Sequence, residues 1–249
     1  MFTIILIIVL GLCFGSFLNA LVWRVGHSES IVRGRSKCPH CEKAIVWYDL
    51  VPMLSFIWLR GMCRNCRQAI SWQYPLVELV TSVALVLLYA VFGLSNEFFV
   101  AALTTLFLIP IFLTDLRYKI IPDRIVVLGI IIILAVQIWA GAGVTNLLAA
   151  IAIGVGFFAW QYILSRGQWI GAGDIGLGAL MGVTLGWPNI LVALTTAYLG
   201  GAIVGIALMG LKKTVAATQL PFAPFLTTAT FFTILYGKNI ITFFQQFTR

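Results

Sequence analysis

From Pro75 onward the chain alternates long apolar runs with short breaks of glycine, proline or charge. A helix needs about 20 mostly apolar residues to cross a bilayer. The runs predict spans over about 75–93, 98–115, 122–140, 145–165, 174–187, 189–211 and 222–246. The breaks fall at Gly93-Leu94-Ser95-Asn96, Arg117-Tyr118-Lys119, Gly141-Ala142-Gly143, Ser165-Arg166-Gly167, Gly186-Trp187-Pro188-Asn189 and Lys212-Lys213. A further run, from about Phe2 to Val25, precedes them. No basic stretch lies ahead of it and no clean small-residue cleavage site follows, so it reads as a retained helix. In this run Gly11, Gly15 and Ser16 permit a close helix neighbour, and Asn19 is a candidate interhelical hydrogen bond. The pattern predicts an all-α polytopic membrane protein with about eight transmembrane helices. The sixth span is short and rich in glycine (Gly176, Gly178, Gly182).

The stretch between the first two spans differs in kind. It carries Arg24, Arg33, Arg35, Lys37, Lys43, Arg60, Arg64 and Arg67, too much charge to cross a membrane. The chain thus divides into a first transmembrane helix (1–24), a polar segment (25–74) and a seven-helix transmembrane domain (75–249). The polar segment holds Cys38-Pro39-His40-Cys41 and Cys63-Arg64-Asn65-Cys66, two pairs separated by the 21 residues from 42 to 62. Four thiolates in two Cys-x-x-Cys pairs suit a tetrahedral zinc site, and four sulfur ligands leave no open position, which marks the metal as structural. His40 is a spacer. The segment also repeats internally at an offset of 25: Cys38, Cys41, Ala44, Ile45 and Trp47 recur as Cys63, Cys66, Ala69, Ile70 and Trp72. Cys13 lies within an apolar helix and is a small core residue.

Charge fixes the orientation. The chain has 249 residues, 61% hydrophobic and 10% charged, with a net charge of +8. In a soluble protein that excess would point to nucleic acid. Here the positive-inside rule accounts for it, and no nucleic-acid partner is expected. If the segment 25–74 lies inside, the inner loops hold 14 of the 16 basic residues, all but Lys238 and Arg249. The same parity puts Asp115 and Asp174 on one side of the membrane.

The acids carry the candidate chemistry. Glu29, Glu42 and Asp49 lie in the polar segment and Glu97 in an outer turn. Asp123 follows Pro122 at a helix start, where a carboxylate suits the helix dipole. Glu78 stands near the start of the second span, where a loop arginine could neutralise it. Asp115 and Asp174 have no such obvious structural duty, and intramembrane acids mark functional sites. The alternative is a pair of helix-end acids satisfied by Arg117, Lys119 or Arg166, as interfacial acids often are. Asp174 closes Gly171-Ala172-Gly173-Asp174, whose glycines Gly171 and Gly173 let backbone or substrate approach the acid. Two carboxylates close together in a low dielectric share one proton, which is the arrangement of an aspartic protease.

These motifs together resemble the type IV prepilin peptidases, membrane aspartic proteases of the Gly-x-Gly-Asp type. The likeness rests on Gly15-Ser16-Phe17-Leu18-Asn19, the two cysteine pairs, Leu59-Arg60-Gly61, Ile70-Ser71, Tyr74-Pro75-Leu76-Val77-Glu78-Leu79, Asp115 with Ile121-Pro122-Asp123, Gly171-Ala172-Gly173-Asp174 and Pro221-Phe222-Ala223-Pro224-Phe225-Leu226. The resemblance implies that Asp115 and Asp174 cut a basic leader from prepilins or pseudopilins at the cytoplasmic face of the bacterial inner membrane. It implies further that the new N-terminus is methylated with S-adenosylmethionine, although no glycine-rich nucleotide-binding pattern is visible. One departure stands out: the family usually has Lys two residues after the second Asp, and this chain has Gly176. A basic leader would meet a basic segment, which lipid headgroups and the loop acids Glu29, Glu42 and Asp49 would have to offset.

Overall fold

The computed structural model describes residues 1–31, 34–210 and 220–247. The break at Lys212-Lys213, and the basic residues Arg33 and Arg249, lie outside them. Among the described residues the helices are α1 (Phe2–Gly26), α2 (Leu54–Trp58), α3 (Gln73–Phe92), α4 (Asn96–Tyr118), α5 (Asp123–Trp139), α6 (Val144–Ser165), α7 (Ala172–Leu185), α8 (Asn189–Gly210) and α9 (Ala223–Phe247). Apart from the short α2, each coincides with one apolar run of the sequence. The chain is an all-helical, multi-pass membrane protein. Among the described residues five helices (α1, α3, α4, α6 and α8) are each long and apolar enough to cross a membrane. At 14 residues, α7 is shorter than a full span.

The chain forms two compact units, Met1–Leu94 and Ser95–Arg249. In the first, α1 and α3 touch backbone to backbone. A Cβ on Gly15 would stand 2.6 Å from the Cα of Glu78, so only glycine permits this approach. Polar groups tie the same contact. Ser82 Oγ donates to the Ile8 carbonyl (3.2 Å) and Asn19 Nδ2 to the Tyr74 carbonyl (3.0 Å), the interhelical bond expected of Asn19. Glu78 finds a different partner from the arginine expected. Its Oε2 accepts the Met53 N–H at 2.8 Å, and Ser16 also bonds it. Met53 adopts a positive φ of 58°, a costly conformation for a residue with a side chain, and Glu78 holds the turn there.

In the second unit the helices alternate in direction, and contacts at one end prove it. Lys238, late in α9, pairs with Glu97 at the start of α4 (2.8 Å). Gln137, late in α5, donates to the Val183 and Thr184 carbonyls at the end of α7. Asn146, early in α6, exchanges two bonds with Trp187 just beyond α7. The opposite end therefore gathers the end of α4, the start of α7 and the start of α9. Where α6 crosses α7, a Cβ on Gly182 would fall 2.6 Å from the Cα of Ile151, and one on Gly178 would fall 2.6 Å from the Phe158 ring. Glycine lets this short helix sit deep among its neighbours. Leu177, Leu180, Met181 and Val183 are fully buried there.

Candidate active site and metal centre

Asp115 belongs to the last turn of α4 and Asp174 to the first turn of α7. Both are almost fully buried, at 6% and 5% exposure. Each meets the same physical need. The first N–H groups of a helix have no partner within it, and a carboxylate there satisfies one of them and suits the helix dipole. Asp174 reaches back so that its Oδ2 accepts the Gly171 N–H at 2.9 Å. Asp115 does this for another helix: its Oδ2 accepts the Ala223 N–H at 2.9 Å, at the start of α9. The next residue is Pro224, which has no N–H to offer. With one oxygen engaged, Asp174 keeps Oδ1 buried and without a hydrogen-bond partner. Lys119 closes the end of α4, its backbone N–H donating to the Asp115 carbonyl. The structure thus brings Asp115 and Asp174 to one end of the helical bundle.

The two glycines of the motif differ. A Cβ on Gly173 would meet Ile121 at 2.8 Å, so this glycine lets α7 start against the turn between α4 and α5. One on Gly171 would meet Asp174 Oδ2 at 3.6 Å, ordinary contact, and Gly171 is exposed. Gly176 faces α5: a Cβ there would lie 3.2 Å from Val126 Cγ1, so a longer side chain requires Val126 to give way. Asp123 is exposed in the first turn of α5 and shares no bond with the acid pair.

In the first unit, Cys38, Cys41, Cys63 and Cys66 converge, with all four sulfurs within 4.8 Å of one another. Cys38 Sγ and Cys66 Sγ stand 3.8 Å apart. A tetrahedral ion with metal–sulfur bonds of about 2.3 Å needs sulfur spacings of about 3.8 Å, so this set could hold a metal ion. His40 is not among the converging groups. The repeat in the sequence is a repeat in space. Cys38 N–H bonds the Lys43 carbonyl as Cys63 N–H bonds that of Gln68, and Glu42 N–H bonds the Cys38 carbonyl as Arg67 N–H bonds that of Cys63. Glu42 and Arg67 share a φ of 56°, and the bridges Lys37–Ala44 and Met62–Ala69 close the two turns alike. The N–H groups of Cys66 and Asn65 hold the Cys63 thiol down to about 7, while burial and the neighbouring thiols push that of Cys66 up to about 11. Asp49 grips Arg64 through both oxygens and is therefore not free to meet a basic peptide.

Sequence reasoning missed several contacts. It did not see that Ala223 anchors Asp115, or that Tyr198 and Gln161 meet near Asp174. The polar character of those two residues inside apolar helices was the available signal.

Comparison with known proteins gives these sites a family. Residues 9–92 match the model of the bacterial peptidase A24 N-terminal domain, and residues 102–206 match that of the type IV leader peptidase family. A prepilin leader peptidase/N-methyltransferase of Bacillus subtilis is 32% identical over 241 residues, 96% of this chain and 96% of that protein. One of Myxococcus xanthus is 37% identical over 210 residues, 82% of this chain and 63% of that protein. One of Aeromonas hydrophila is 30% identical over 273 aligned positions, 94% of this chain and 91% of that protein. No solved structure matches the chain. The two cysteine turns lie within the first matched region and both buried acids within the second, and the chain belongs to the type IV leader peptidase family.

Proposed function

We propose that the protein is a membrane aspartic endopeptidase of the bacterial inner membrane. It cuts the basic leader from type IV prepilins or pseudopilins at the cytoplasmic boundary, with Asp115 and Asp174 as the working acids. The observation that carries this reading is their common placement: both buried at one end of the bundle, each spending one oxygen on a helix start. Such a pair holds one proton between two carboxylates. The ionised acid takes a proton from water as the water oxygen bonds to the scissile carbonyl carbon. The protonated acid gives its proton to the carbonyl oxygen. Collapse of this adduct breaks the C–N bond: the proton taken from water passes to the departing amine, and a hydroxyl proton of the adduct returns to the other acid, leaving a carboxylic acid product and the pair with its one proton. Gly171, exposed and without a side chain, offers the peptide an approach to Asp174, with Gly173 behind it.

The four cysteines suit a structural zinc ion, which would tie the two turns of the segment 25–74 together and take no part in cleavage. The names of the relatives add N-methylation, for which S-adenosylmethionine is the donor by chemical class. Among the described residues no strand–turn–helix of the kind that cradles such a molecule is present, and no step is assigned to it. The division into a first helix (1–24), the metal-binding segment (25–74) and the helical protease domain (75–249) belongs to the same proposal.

The test is cleavage of a synthetic prepilin peptide by the purified protein in lipid. The wild type should cut at the end of the leader and Asp174→Asn should not. A transmembrane helix hides its backbone, so the cut must fall on an unwound boundary segment. Moving the cut site ~6 residues into the apolar segment, about 9 Å along a helix, should nearly abolish cleavage. Efficient cutting of that buried site would overturn the boundary reading.

A further inference from the structure

One polar pair lies on the apolar helices beside the acids and has no part in the reaction above. The Tyr198 hydroxyl, on α8, donates to Gln161 Oε1, on α6, at 2.8 Å. The orientation of the amide is fixed, because Gln161 Nε2 donates to the Phe157 carbonyl one turn earlier (3.2 Å). An amide oxygen only accepts, so the phenol proton is committed to Gln161. What remains on the phenol oxygen is acceptor capacity. The ring is held edge-on between Phe157 (5.4 Å between centres) and Phe222 (5.0 Å). Phe222 directly precedes Ala223, whose N–H holds Asp115. The phenol and Asp174 share no hydrogen bond, and Asp174 Oδ1 has no partner of its own.

A peptide unwound for cleavage exposes backbone N–H groups that need acceptors once water is excluded. The carboxylates are engaged in proton transfer. A phenol oxygen whose own proton is tied up accepts without competing for theirs. Resting on the reading of Asp115 and Asp174 as the working acids, we propose that Tyr198, made an acceptor by Gln161, is a positioning residue that takes a backbone N–H of the bound prepilin and so sets where the scissile carbonyl stands beside Asp174.

The test pairs variants with altered substrates. Wild type, Tyr198→Phe and Gln161→Met, all full-length and in lipid, are given prepilin peptides in which one backbone amide near the cut, never the scissile one, is replaced by an ester. The ester keeps the shape and removes one N–H. Tyr198→Phe keeps the ring between Phe157 and Phe222, so its melting temperature should match the wild type. Its kcat on the all-amide peptide should fall about tenfold, the effect of one hydrogen bond in a desolvated site, with KM within twofold. One ester position should cost the wild type about as much and cost Tyr198→Phe almost nothing. Gln161→Met should share that indifference. The proposal is overturned if Tyr198→Phe cleaves as well as the wild type, or if every ester slows all three proteins equally. Asp174→Asn on the all-amide peptide tests the underlying reading separately: activity there would remove the acid pair whatever Tyr198 does.

Discussion

The four sulfurs and the two carboxylates are gathered by opposite means. Each cysteine pair is positioned by a turn of a few residues, closed by its own backbone bonds and repeated almost unchanged 25 positions later. The acids are brought together by long helices and by distant residues: glycines where α6 crosses α7, Gln137 at the far end of α7, and the first N–H of α9. A locally built centre tolerates change elsewhere in the chain. A centre assembled by packing inherits the faults of every helix that supports it.

The largest effect should come from the acids themselves. If the two acids work as one unit, as proposed, Asp115→Asn or Asp174→Asn should lower kcat/KM by at least about 10³-fold. Metal content, measured by elemental analysis, should not change. Loss of the metal in either variant would break the contrast between the two centres. Next comes packing. Gly178→Val forces a branched side chain against Phe158 and the Gly154 backbone, at a cost of about 1–3 kcal/mol. Thermal unfolding should reveal the loss and cleavage should fall with it, while the metal stays bound. Cys63→Ser should reverse that pattern. Metal stoichiometry should drop, and proteolysis of the segment 25–74 should quicken. Cleavage should suffer less than in Gly178→Val. In the wild type, X-ray absorption should find metal–sulfur bonds of about 2.3 Å. Arg64→Met should do least. It removes a solvent-screened ion pair with Asp49, and should leave both metal content and kcat intact.

The same contrast explains what the sequence made legible. The cluster of four cysteines was readable in full, because its residues, their spacing and the repeat are all local. The apolar runs located every long helix, and parity of the spans set Asp115 and Asp174 at one end, where the structure has them. Which N–H each acid would hold was not readable, since Ala223 is remote from Asp115 and the bond depends on how α4 meets α9. Glu78 misled for a related reason. An acid near arginines suggests an ion pair, but the buried start of α3 faces the strained Met53 turn, and a backbone N–H already inside outcompetes a long side chain that must be desolvated. Tyr198 and Gln161 stood out only as polar letters in apolar runs, and nothing in their spacing joined α6 to α8.

The bond from Ala223 to Asp115 also makes one half of the acid pair observable. A backbone amide proton that points at a carboxylate oxygen shifts its resonance when that group gains or loses a proton. A single ¹⁵N-labelled alanine at position 223 would thus act as a spectroscopic gauge on Asp115, read without altering either acid. It would follow the protonation of Asp115 through a titration and through the binding of an uncleavable peptide.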